Sequence, residues 1–209
     1  GDGSTIFNAG LIDTDGDEAI EASGINDLTV VNTGIIRTRA NGDKAIEAEA
    51  NLRVENSGLI ESAVSEAIEA DAAGLVLINS GQILARFDDE VDGDDNVTIM
   101  NSGLIRGGQN DGLELNSGLI MNSGTIESID SDPNGSLIIG GTVPEIDAAI
   151  DFDAGTDGNE DGSVYNLDGG LIIGDIGINT SQGNQDSPDT NDGEQIVYNY
   201  GTIPSRREN

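Results

Sequence analysis

The sequence predicts an all-β chain wound as a single-stranded parallel β-helix, a solenoid of about eight coils of roughly 22 residues with three strands per coil. Three observations predict it: a turn tripeptide that recurs at near-constant spacing, short apolar runs that fill each period, and the β-branched character of those runs between Gly, Asn and Asp. The tripeptide is Asn-x-Gly, at Asn8-Ala9-Gly10, Asn32-Thr33-Gly34, Asn56-Ser57-Gly58, Asn79-Ser80-Gly81, Asn101-Ser102-Gly103 and Asn122-Ser123-Gly124. Successive Asn positions are 24, 24, 23, 22 and 21 residues apart. Looser copies stand at Asn166-Leu167-Asp168-Gly169 and Asn199-Tyr200-Gly201.

Each part of the period has a physical reading. Asn and Gly tolerate left-handed backbone angles, which suits a bend. Stacked Asn side chains are expected to hydrogen-bond from coil to coil as a ladder. The first strand follows the Gly, as in Leu11-Ile12, Ile35-Ile36, Leu59-Ile60, Gln82-Ile83, Leu104-Ile105 and Thr125-Ile126. The second is Ala-Ile-Glu-Ala or a relative, at 19–22, 45–48, 67–70, 90–93, 112–115 and 149–152. The third precedes the next Asn, at 28–31, 52–55, 75–78, 97–100, 119–121 and 163–165. Each strand is expected to pair with its equivalent one coil later at about 4.8 Å, giving a rod of roughly 40 Å. Ile, Leu and Val then stack like on like inside, and Ala22, Ala48 and Ala70 imply a narrow corner.

One domain is expected, with regular coils over 1–126, irregular coils over 127–203 and a basic tail over 204–209. Loops are expected at 130–135 and 155–162, with a long polar insertion at 177–193. Ile139-Gly140-Gly141 stands where another Asn-x-Gly turn is expected.

Composition excludes several functions. Forty Asp and Glu oppose eight Lys and Arg, a net charge of -32. Nucleic acid and anionic membrane surfaces both require basic faces, so neither is an expected partner. The charge suits divalent cations, basic partners or a salty medium. The regular apolar register argues against an acidic disordered chain. With no Cys and no His, disulfides, thiolate metal sites and His-based catalysis are absent. No apolar run reaches the ~18 residues of a membrane-spanning helix. The start at Gly1 has no signal-peptide pattern, as expected of a mature or excised piece.

The acids are patterned. The second strand carries one per coil: Glu21, Glu47, Glu69, Asp92, Glu114 and Asp151. With the neighbouring Ile, Val or Leu inward, these acids point outward in a column. Like charges stacked about 5 Å apart repel by about 1 kcal/mol per pair in water. Raised pKa values, bound cations or a basic partner must offset that repulsion. The stretch Asp13-Thr14-Asp15-Gly16-Asp17-Glu18 resembles the opening of a calcium loop. Ca2+ is therefore the expected ion, with Asp13, Asp15, Asp17, Glu21, Glu47, Glu69, Asp92 and Glu114 as ligands. Asp88-Asp89-Glu90, Asp94-Asp95 and the acids of 157–161 are similar in composition. No complete EF-hand pattern is present, and a solvated acidic edge that blocks strand pairing is the alternative. Glycoside hydrolysis needs two carboxyls of unlike pKa in a cleft. Every coil here offers acids, aromatics are few, and Arg37, Arg39, Lys44 and Arg53 are expected to neutralise the acidic face. No enzyme is expected. Ice binding needs a regular Thr face, and Thr is scattered.

The iterated Val-x-Asn-Ser-Gly-x-Ile, with three strands per coil, resembles bacterial autotransporter and haemagglutinin-type adhesin passenger domains. The resemblance is clear over 5–126 and weaker over 163–203. It implies a right-handed helix, exported and displayed at the cell surface or in an extracellular matrix. The family's membrane-anchoring barrel is not in this sequence.

Residues 5–10 and 197–203 fall in the same phase of the repeat, without an amphipathic capping helix beside either. Uncapped ends of matching phase can stack head to tail into a filament, and the equal alternative is that neighbouring coils of a longer natural chain have been trimmed away. Arg206 and Arg207 are expected to clamp an acidic face of the next subunit. The leading expectation is a structural exported protein that forms a surface filament or matrix fibre, assisted by calcium. The alternative is an adhesin fragment that binds host or polysaccharide ligands. A carbohydrate-active enzyme is third.

Overall fold

The computed structural model describes residues 2–40, 42–86, 91–108, 111–129, 148–152, 161–174, 176–179 and 196–204. The first coil runs through β1 (Thr5–Asn8), β2 (Leu11–Thr14) and β3 (Ile20–Asn26). The second has β4 (Thr29–Asn32), β5 (Ile35–Thr38) and β6 (Ile46–Ala50), and the third β7 (Arg53–Asn56), β8 (Leu59–Ser62) and β9 (Ile68–Ala70). Next come β10 (Val76–Asn79), β11 (Gln82–Ala85) and β12 (Val91–Gly93), then β13 (Val97–Asn101), β14 (Leu104–Gly107) and β15 (Glu114–Leu115). The last coils hold β16 (Gly118–Asn122), β17 (Thr125–Ser128), β18 (Ala148–Phe152), β19 (Gly162–Asn166), β20 (Leu171–Ile173), β21 (Ile176–Asn179) and β22 (Ile196–Asn199).

Strands at the same place in successive coils pair in parallel and form three sheets. The first sheet is β1-β4-β7-β10-β13-β16-β19-β22, the second β2-β5-β8-β11-β14-β17-β20, and the third β3-β6-β9-β12-β15-β18-β21. The expected parallel solenoid with three strands per coil is therefore present. The coil count is slightly lower than the expected eight: among the described residues, the second and third sheets have seven strands each.

Alternation along each strand sends every second side chain inward. Val30, Val54, Leu77, Ile99, Ile120 and Val164 form one buried column, and Ile36, Ile60, Ile83, Ile105, Ile126 and Ile172 another. Each such side chain contributes about 1.5–3 kcal/mol by leaving water. The narrow corner is confirmed, because Ala22, Ala48 and Ala70 are buried and stacked in register. It widens towards the later coils, where Gly93, Leu115 and Phe152 follow in the same column. The buried Phe152 ring fits because Gly162 has no side chain, whose Cβ would lie 2.6 Å from the ring.

The Asn side chains point inward and form the expected ladder. Each Nδ2 donates to Oδ1 of the next Asn, from Asn8 through Asn32, Asn56, Asn79, Asn101, Asn122 and Asn166 to Asn199, at 2.8–3.0 Å. Asn122 bonds directly to Asn166, so β17 and β18 lie between two consecutive positions of the ladder. Ile139-Gly140-Gly141 lies outside the described residues, and the ladder position expected of it is filled by Asn166.

The reason for the repeated Gly differs from the expectation. None of Gly10, Gly34, Gly58, Gly81, Gly103 and Gly124 has a left-handed backbone. From Gly34 onward their role is close approach, since a Cβ at Gly34, Gly58 or Gly103 would lie 2.1 Å from the carbonyl oxygen of the coil before it. Left-handed residues occur at a different corner, before the first-sheet strands β4, β7 and β13: Asp27 (φ 59°), Asn51 (φ 53°) and Asn96 (φ 57°), with Gly74 (φ 105°) at the equivalent place before β10. Asn and Asp are the side chains that tolerate this region best after Gly.

Candidate functional site: an acidic column and two open ends

The column of acids on the third sheet is real. Glu21, Glu47, Glu69, Asp92, Glu114 and Asp151 are direct register partners in successive coils. The alternation that buries Ile20, Ile46, Ile68 and Val91 turns each of these acids outward.

Lys44 is built into this column. Its Nζ lies 3.3 Å from Glu47 Oε2 and 2.5 Å from Glu69 Oε2, so one ammonium bridges two coils. Burial opposes its charge, but the bonds and attraction to Glu69 and Glu47 outweigh that and raise its pKa. Burial also pushes the Glu69 carboxyl up, and Lys44 only partly reverses this. The contact geometry favours the charged pair. Replacing Lys44 by Met should therefore lower stability at pH 7 by about 2 kcal/mol, because two half-buried carboxylates lose their counter-ion. Urea unfolding checks this, and the deficit should shrink towards pH 4 as the acids protonate.

Beyond Lys44 the column runs into a groove of about 280 Å³ lined by Glu69, Asp71, Asp92, Asp94, Glu114 and Asn116. Burial, then the charges of Glu114 and Glu69, push the Asp92 carboxyl up to about 7. One coil on, burial pushes Asp111 up to about 8, with the Asp151 charge adding to it and a hydrogen bond from the Ala148 N–H opposing it. Neither the burial of Asp111 nor its neighbour Asp151 is visible as a motif, because residues 37 apart in sequence meet there.

Of the eight acids expected to hold calcium, the structure brings Glu47 and Glu69 together with Asp71, with ligand oxygens within 4.8 Å of one another. Asp71 carried no sequence signal. Asp13 is engaged otherwise. Arg37 donates to it through Nε (3.0 Å) and Nη2 (3.2 Å), and Arg39 through Nε (2.9 Å). These hydrogen bonds hold the Asp13 carboxyl down to about 2. Asp15 and Asp17 are exposed. Of the four basic residues expected to neutralise the acidic face, only Lys44 is on the column. Arg53 pairs with Glu55 on the first sheet, at 2.7 Å. Arg206 and Arg207 lie outside the described residues, as do Asp88-Asp89-Glu90, residues 157–160 and most of the 177–193 insertion.

The outer face of the first sheet was not anticipated. Its outward column reads Phe7, Val31, Glu55, Ile78, Met100, Met121, Tyr165 and Tyr198. The Tyr165 and Tyr198 rings stack at 4.7 Å. The signal was available in the unbroken apolar runs Val76-Leu77-Ile78 and Ile99-Met100, which mark a strand apolar on both faces. The first sheet thus carries one outward column that is largely apolar and interrupted by Glu55, and the third sheet carries an acidic one.

Among the described residues, no strand lies beyond β1 at one edge of the first sheet or beyond β22 at the other. Phe7 and Tyr200 are 79% and 70% exposed at these edges. Among the described residues, no helix is long and apolar enough to cross a membrane. Compared with known proteins, the chain matches no family model, no curated protein and no solved structure.

Proposed function

We propose that this protein is a structural, non-catalytic rod of the bacterial cell exterior that assembles head to tail into a surface filament or matrix fibre. The observation that carries this reading is the stack of equivalent parallel coils, in which β1 and β22, the outermost strands of the first sheet among the described residues, stand at the same phase of the coil. A parallel stack is a template for continued pairing at its edge strands, and head-to-tail contact does not close. The non-catalytic part rests on the repetition of an acid in every coil of the sequence and on the scarcity of aromatic side chains for stacking a sugar. Placement outside the cell rests on the resemblance of the repeat to exported passenger domains. Calcium enters as counter-ion to the stretch of the column that Lys44 does not serve.

Electron microscopy of the purified chain, in calcium and again in chelator, tests the proposal. Filaments in calcium are the expected result, and their loss in chelator would assign the column to ion bridging. Dispersed short rods in both conditions would overturn self-assembly. A second reading, an adhesin-type binding module, is favoured by the apolar outer face of the first sheet, since exposed patches of this kind mark interaction sites. A ligand whose binding is lost on deleting residues 177–193 would favour it.

A further inference from the structure

Two tyrosine rings lie face to face on the outer surface of the first sheet. Tyr165 on β19 and Tyr198 on β22 are register partners in neighbouring strands. The alternation that buries Val164 and Asn166 turns Tyr165 outward, and the parallel register sets Tyr198 beside it. The ring centroids are 4.7 Å apart, with the planes 15° from parallel. Tyr198 is 42% exposed, so solvent reaches the pair.

The chain has no Cys, so no disulfide ties one coil to another, and it has no Trp. Its three Tyr are therefore the side chains from which a one-electron oxidant draws most readily. Both rings of the stack leave the same face of parallel strands in register, so they reach outward in the same direction. The carbons ortho to the two phenol oxygens then face each other across the stack. Two phenoxyl radicals couple through those carbons, and holding the rings in contact makes the coupling unimolecular. Tyr200, 70% exposed, is not part of the stack and provides an internal reference.

We infer that Tyr165 and Tyr198 form an oxidative cross-linking site, joined as dityrosine by a one-electron oxidant of the class of a haem peroxidase supplied with hydrogen peroxide. Each phenol gives up one electron and one proton and becomes a phenoxyl radical. The two radicals form one carbon–carbon bond between their ortho carbons. The hydrogens on those carbons then move to the oxygens, which restores both phenols. One peroxide takes up the two electrons and two protons and leaves as two waters. The product is a covalent staple between β19 and β22 that closes a loop containing residues 177–193. A closed loop has fewer unfolded conformations, so the staple stabilises the coils it joins. The cross-link lies within one chain and stands apart from the filament reading.

The test treats the dilute full chain with a haem peroxidase and limiting hydrogen peroxide. Peptide mapping by mass spectrometry should find Tyr165 joined to Tyr198 within one chain, with two hydrogens lost and the blue fluorescence of a biphenol. The intrachain yield should exceed that of Tyr198→Phe at least ~10-fold, a small part of the gain open to groups held in contact. Tyr200→Phe should leave the yield unchanged. Oxidation in urea, where the stack is lost, should lower it, and the stapled chain should unfold at higher urea than the untreated one. The map of the parent identifies the site independently of how any variant folds. Cross-links that run mainly between chains or through Tyr200 would overturn the inference. So would an intrachain yield in urea equal to that of the folded chain.

Discussion

Gly81→Ala is expected to abolish cooperative folding of the solenoid, or to lower its stability by more than about 4 kcal/mol, the range reserved for core disruption. A Cβ at this position would lie 2.2 Å from the Gly58 carbonyl oxygen, 2.7 Å from the Ser57 carbonyl carbon and 2.8 Å from the Gly58 nitrogen. All three are backbone atoms, so no side chain can rotate away. The coils would have to part by more than ~1 Å to restore ordinary contact. That movement breaks the Gln82 N–H bond to the Gly58 carbonyl (2.9 Å), whose groups are then orphaned. It also strains the ladder, where Asn56 donates to Asn79 Oδ1 at 2.9 Å and Gly81 N–H donates to the same oxygen at 3.1 Å. Circular dichroism through a urea titration reads the loss. A variant within about 1 kcal/mol of the parent would show that the coils can separate locally, contrary to the close packing of protein interiors. Gly10→Ala, chemically the same change at an open edge, is the internal comparison.

Stability should fall as pH rises from about 4 to 8, the opposite of the usual behaviour of a carboxylate-rich protein. The sign follows from which state binds protons more tightly. Asp92 and Asp111 have folded pKa values near 7 and 8, raised from 3.8, chiefly because burial disfavours the charge. Their protonated forms fit the folded state. The stability they contribute is complete below the unfolded value and is lost as pH climbs through 7 and 8. Asp13 runs the other way: its pKa is lowered to about 2 by Arg37 and Arg39, so its contribution is present above 3.8 and vanishes only in strong acid. Between those limits the raised acids set the slope. Asp92→Asn removes the charge while keeping the shape. It should raise the unfolding free energy by on the order of 2–4 kcal/mol at pH 8, and change little at pH 4. Thermal melts of parent and variant at both pH values decide it. Equal gains at both would mean that packing, not ionisation, is responsible. Loss of stability at pH 8 would mean that the Asp92 carboxylate has a counter-ion in solution.

The repeat by itself determined what stacks on what. The ladder asparagines from Asn8 to Asn122 are where their phase puts them, Asn166 and Asn199 continue the same ladder, and the acid column runs from Glu21 to Asp151 as its phase requires. A solenoid makes this possible, because one period of sequence is one step of about 4.8 Å in space. Whatever depends on the distance between coils or across a corner was decided only by the folded structure. The glycines of the turn are required by backbones that nearly touch, while the left-handed angles belong to Asp27, Asn51 and Asn96 at another corner. Asp13 was read as a calcium ligand, yet the coil length brings Arg37 and Arg39 onto it from 24 and 26 residues away. Asp71 joins Glu47 and Glu69 for a similar reason, and Asp111 is buried by a strand 37 residues further on. The long stretch of sequence between Asn122 and Asn166 hid the ladder's continuation, because the period carries no information once an insertion breaks it. Periodicity encodes the neighbours along the rod axis, and the neighbours around each coil are set by where the turns aim the chain.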